Sequence, residues 1–115
     1  MKGKIFLAAM VVLLGVLACT KDQTPPAECV DAVSFAADVA PLIAVNCSTS
    51  GCHDASAAGG YDLSSYVGIE ANASRILNVI NHDSGFVPMP QGGDKLADSL
   101  IQKVDCWIRQ GKLNN

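Results

Sequence analysis

The clearest pattern along the chain lies near its C-terminus. Leu96, Leu100, Ile101, Val104, Trp107 and Ile108 recur at helical spacing, so that one face is apolar through four turns. Asp94 stands where a capping residue is expected, and Gly111 where a helix-ending glycine is expected. Earlier in the chain, Phe35, Val39, Leu42 and Ile43 repeat with the same period after Ser34, a capping residue type. Pro41 interrupts that segment. Proline removes an interior helical hydrogen bond but suits a first turn. The pattern therefore predicts a kink, or a helix that restarts at Pro41 and ends near Asn46. Ser64 or Ser65 opens a short helix holding Tyr66 and Ile69. A second short helix covers 74–80, with Ile76, Leu77, Val79 and Ile80. Residues 47–60 are rich in Ser, Gly and Ala and read as a loop. Residues 81–93 carry three glycines and two prolines, and read as a long loop of the kind that small domains keep for function. No segment alternates with period two. The expected fold class is all-α.

The start of the chain has a different character. Lys2 and Lys4 precede an apolar run, Ile5 to Leu17, that is short for a membrane span. Val16-Leu17-Ala18-Cys19 follows, and this resembles the lipobox of bacterial lipoproteins. The resemblance implies a signal peptide over residues 1–18, cleavage before Cys19, and lipid on Cys19. Several acyl chains on one residue make a durable membrane anchor. The alternative is an ordinary signal or an uncleaved anchor with Cys19 incidental. Residues 19–32 are polar at first, contain Pro25-Pro26, and read as a tether. Residues 33–115 form the folded domain.

Charge and cysteine count narrow the function. Loss of Lys2 and Lys4 takes the formal charge from −3 to −5. This argues against nucleic acid as a partner, because phosphate binding needs clustered Lys and Arg. Of five cysteines, four lie beyond Cys19, at 29, 47, 52 and 106. In an oxidising compartment such thiols are usually paired.

Cys47-Ser-Thr-Ser-Gly-Cys52-His53 carries the chemistry. Two thiols that add to the two vinyl groups of one porphyrin, with a His directly after the second, attach haem covalently and give its iron a proximal ligand. The common spacing has two residues between the thiols. Here there are four, which demands a bulged loop, and Gly51 offers the backbone freedom for it. Two other readings use the same residues: a Cys47–Cys52 disulfide with His53 incidental, or a zinc site from Cys29, Cys47, Cys52 and His53. Met89 is the one methionine beyond the signal, set in Val87-Pro88-Met89-Pro90 within the long loop. A thioether is a soft, neutral ligand for haem iron, and flanking prolines restrict the backbone that carries it. His82 is the competing sixth ligand. Arg75, Tyr61 and Tyr66 are candidates to meet a haem propionate or to line the pocket, and a solvated surface charge is the plainer role for Arg75.

Phe35 through Cys47, Gly51-Cys52-His53, Tyr61 through Tyr66, Met89-Pro90 with Gly92-Gly93-Asp94-Lys95-Leu96, and Trp107-Ile108-Arg109-Gln110-Gly111 together resemble small cytochrome c domains. The domains they resemble are those of planctomycete-type and Bacteroidetes lipoproteins, broadly within class I cytochromes c. The resemblance covers about residues 33 to 113. It implies a cytochrome c-like fold of three to five short helices with the first and last crossing near one covalent haem c. It implies Cys47 and Cys52 as thioether sites, His53 as proximal and Met89 as distal iron ligand, and Trp107 packed near Phe35. If those helices cross, Cys29 and Cys106 come together as a disulfide, a closure worth about 4 kcal/mol in the chain-entropy account; two reduced, buried thiols are the alternative. The expected function is a monohaem electron carrier, not an enzyme, lipid-anchored to a bacterial membrane and facing the periplasm or the cell exterior. It would exchange single electrons with redox protein partners. Its rivals are a haem-bearing subunit of a larger oxidoreductase, a haem peroxidase or sensor, and a haem-free structural or metal-binding lipoprotein.

Overall fold

The computed structural model describes residues 28–115. The expected signal, the lipid-bearing Cys19 and the tether up to residue 27 lie outside the described residues. Within them the chain is all-α, with no strand. No helix among the described residues is long and apolar enough to cross a membrane.

Ser34 starts the first helical segment. Its Oγ accepts from the Ala37 N–H at 3.1 Å, and its own N–H donates to Asp38 Oδ2 at 3.0 Å. Each group thus satisfies a donor the helix start would leave open. Phe35–Val39 then forms a wide π-helical turn, and α1 runs over Ala40–Asn46. Proline supplies the physical reason. Pro41 sits in the first turn of α1, has no N–H to give, and would press its ring on the carbonyl four residues back in a tight helix. The widened turn just before it avoids that clash, and the pattern's expected restart at Pro41 is realised in this form.

Two short helices follow. Helix α2 spans Tyr66–Ala71 with Ser65 as its cap, and α3 spans Ala73–Ile80. Asn72 joins them, its side-chain amide donating to the Gly68 carbonyl at 2.8 Å. The last helix, α4, spans Asp98–Arg109, shorter than the sequence pattern suggested. Asp94 does not cap it; Ala97 does so without a side-chain bond. Leu96 still packs against the core, but from outside the helix, so its burial does not require the extra turn. Gly111 ends the helix as expected. It adopts φ 97°, its N–H reaches the Ile108 carbonyl at 3.1 Å, and Lys112 N–H reaches the Trp107 carbonyl at 2.9 Å.

The core is built by the residues whose period announced the helices. Val39, Ile43, Ile80, Val104 and Trp107 are fully buried, each worth about 1.5–3 kcal/mol of transfer free energy. Trp107 stacks on Phe35 with ring centroids 5.6 Å apart, and Tyr66 meets Phe35 edge-on at 5.0 Å.

One face of α4 also holds the entering chain. Gln102, Cys106 and Gln110 stand four residues apart, one turn above the next. Cys106 is disulfide-bonded to Cys29. Gln110 accepts from the Val33 N–H and donates to the Asp31 carbonyl, both at 2.8 Å. Residues 28–32, read from sequence as the end of the tether, therefore run along α4. At the other terminus, Asn115 Oδ1 accepts from the Phe35 N–H at 2.8 Å.

Candidate functional site

Three segments enclose a cavity of about 570 Å³: the loop after α1, one face of α3, and the long loop before α4. Its volume is that of a small-molecule or cofactor site. Asn72, Ile76 and Val79 from α3, with spacing of four and three, form one wall. Leu63, Phe86 and Val87 add apolar surface. His53 and Met89, 36 residues apart in the chain numbering, both line the same space.

The loop that presents His53 is closed by backbone bonds. The His53 N–H donates to the Cys47 carbonyl at 3.1 Å, and the Cys52 N–H to the Thr49 carbonyl at 3.0 Å. Gly51 takes φ 78°, the left-handed conformation the longer Cys spacing needs. Two neighbours orient the imidazole. Nδ1 lies 3.0 Å from the Tyr61 carbonyl oxygen. A carbonyl only accepts, so Nδ1 carries a proton, and the nitrogen left to ligate a metal is Nε2. That arrangement is the one that fixes a metal-binding histidine. The second is Gly59. A Cβ there would lie 2.8 Å from the Cys52 carbonyl oxygen and 2.8 Å from His53 Cε1, so only glycine lets the ring lie where it does.

Met89 is held by its backbone. Its N–H donates to the Val79 carbonyl at 3.0 Å, at the end of α3. His82 does not line the cavity. Its Nε2 donates to the Met89 carbonyl at 3.1 Å. Arg75 and Tyr61 both line the cavity, with the guanidinium 5.4 Å from the tyrosine ring centroid. Tyr66 is elsewhere: its hydroxyl donates to the Lys112 carbonyl at 2.8 Å and helps hold the C-terminal segment.

The two thiols of the motif are unpaired. Cys52 is exposed beside His53, whereas Cys47 is 9 % exposed and packs in the core. Burial, with the neighbouring Cys52 in second place, pushes the Cys47 thiol from 9.0 up to about 11. Neither thiol lines the cavity, so a thioether at Cys47 requires its side chain to leave that packing. Cys29 is committed to Cys106, and no three His, Cys, Asp or Glu side chains converge among the described residues. The four-residue zinc set of the sequence reading is therefore not assembled, and the Cys47–Cys52 disulfide is not formed.

Sequence reasoning missed two parts of this site. The carbonyl of Tyr61 has no sequence signature as an acceptor, because any residue offers one. Gly59 was read only as part of a glycine-rich loop, though a glycine six residues after a Cys-His pair is the available signal. Comparison with known protein families, curated proteins and solved structures gives no match.

Proposed function

We propose that this chain is a lipid-anchored, class I-like monohaem cytochrome c that carries single electrons between redox proteins outside the cytoplasm. One observation carries the reading. The His53 imidazole, its Nδ1 engaged by the Tyr61 carbonyl, and Met89 line one cavity, next to two unpaired thiols in a Cys-x4-Cys-His loop. The residues present fit haem c in their donor set, nitrogen from His53 and sulfur from Met89, which is the pair that raises the potential of c-type iron. Bound haem would supply a reversible one-electron ferric–ferrous couple. The lipid anchor rests on the Val16–Cys19 motif.

The protein's own groups have separable tasks in this reading. Cys47 and Cys52 hold the macrocycle covalently. Tyr61 and Gly59 fix the face of His53 that meets the metal. Leu63, Ile76 and Val79 exclude water from it. Arg75 and Asn72 offer donors to carboxylates at the cavity edge. With His53 and Met89 both engaged, no open coordination site is left for a substrate, which favours a carrier over an enzyme.

A partner would meet the rim. Tyr61, Phe86 and Val87 there are 39 %, 37 % and 59 % exposed. Lys95, Lys103, Lys112 and Arg109 are each paired with a carboxylate. Asp54, Asp62 and Asp83, on the loops that carry His53, Tyr61 and Phe86, form no ion pair among the described residues. Bonds from Ser56 and Ser64 hold the Asp54 and Asp62 carboxyls below the usual range, so both stay ionised. Against these three carboxylates the cavity itself holds one cation among the described residues, Arg75, so the loops around it are net acidic and suit a partner with a basic surface, in the small transient contact typical of redox pairs.

Redox titration of the matured protein tests the assignment. The wild type should show one reversible one-electron couple, and Met89→Ala should lower its midpoint. An unchanged midpoint in Met89→Ala, with a lowered one in His82→Ala, would assign the sixth ligand to His82 instead.

A further inference from the structure

We propose that His82 is a positioning residue for the Met89 thioether, a clamp and not a ligand; this rests on the haem reading above. Residues 87–91 form the tip of the long loop, and Pro88 and Pro90 deprive it of two backbone donors. Two hydrogen bonds tie this tip to the end of α3, and both land on Met89. The Val79 carbonyl takes its N–H at 3.0 Å, and the His82 imidazole donates to its carbonyl at 3.1 Å. Met89 Sδ is thus carried by a backbone gripped on either side of its own Cα.

The position of His82 supports a dedicated role. Asn81 ends α3, so His82 occupies the next position, with φ 59°. That left-handed conformation is where helices usually place glycine, because a side chain is disfavoured there. Helix α4 follows the rule with Gly111 at φ 97°. Ala57 and Lys112 also take left-handed backbone, so the turn alone does not assign His82 its role; the bond from its imidazole does. The imidazole at position 82 accepts a conformational cost, and what it gains is the bond to Met89.

The test separates backbone from side chain. His82→Gly keeps the left-handed turn and deletes the clamp, and His82→Gln restores an N–H donor of similar reach. Each is compared with wild type, all matured with haem, by the iron–sulfur charge-transfer absorption of the ferric form and by carbon monoxide binding to the ferrous form. In His82→Gly the charge-transfer band should weaken and carbon monoxide affinity rise about five- to tenfold, the equilibrium effect of one lost hydrogen bond. His82→Gln should recover most of both, while thermal unfolding of His82→Gly stays at or above wild type. A His82→Gly protein with wild-type band and affinity would overturn the clamp and leave the cytochrome reading intact. A haem-bearing wild type that lacks the band would overturn the Met89 assignment and the clamp with it. A colourless wild type would overturn the haem reading itself.

Discussion

His53 Nδ1 lies 3.0 Å from the carbonyl oxygen of Tyr61, and this one contact settles which nitrogen of the ring is available. With Nδ1 protonated, Nε2 is the only site for a metal. The contact depends on the ring lying close to position 59, where a Cβ would sit 3.0 Å from Nδ1 and 2.8 Å from a backbone oxygen. Gly59→Ala should therefore displace the imidazole and destabilise the domain by about 1–3 kcal/mol, the usual cost of overpacking. Urea unfolding checks the stability, and the haem spectrum checks the ring. A fully wild-type result in both would separate Gly59 from the site.

The disulfide closes 77 residues, joining the entering chain to α4. Substituting Cys29 and Cys106 by Ser together should cost about 4 kcal/mol on the chain-entropy account. Calorimetry under oxidising conditions reads this. In the wild type alone, added reductant should lower the unfolding temperature.

The Cys47 thiol gives a pH signature to the haem-free, reduced protein. Its pKa is raised in the folded state, so the neutral thiol is favoured by folding. That contribution is intact below the unfolded value of 9.0 and is lost as pH rises to about 11, a loss of about 2–3 kcal/mol. Urea midpoints across this range should fall, and Cys47→Ala should flatten the fall. Haem attachment converts the thiol to a thioether, so the matured protein should lack this component.

The ionised Asp54 and Asp62 near the cavity rim predict the charge of the partner. Oxidation of the ferrous protein by the hexaammineruthenium(III) trication should slow as ionic strength rises from about 0.01 M to 0.1 M, while the screening length falls from about 30 Å to about 10 Å. Asp54→Asn with Asp62→Asn should flatten that slope. A rate that rises with salt would place a positive field at the site of transfer.

Helix positions were legible because burial follows period. Phe35, Val39, Leu42 and Ile43 announced the first helical segment, and Ile101, Val104 and Trp107 the last. Pro41 announced a break, but not that the chain would meet it by widening the preceding turn. The start of α4 was less legible because Leu96 is half-buried from outside the helix and mimics one more helical turn. For the site, His53 and Met89 could be singled out as chemically suited side chains, and the structure sets both in one cavity. The parts that orient them could not. They are carbonyls of Tyr61, Val79 and Met89, and backbone acceptors are the same at every residue. His82 was legible as a nitrogen donor, but not the target of its bond.

Covalent attachment is the most direct test of the central claim. The full chain, produced with a c-type maturation system, should be coloured, and after denaturation its haem should migrate with the polypeptide. Cys47→Ser with Cys52→Ser should abolish that migration. A wild-type chain that is colourless, or that sheds all its haem on denaturation, would contradict the account.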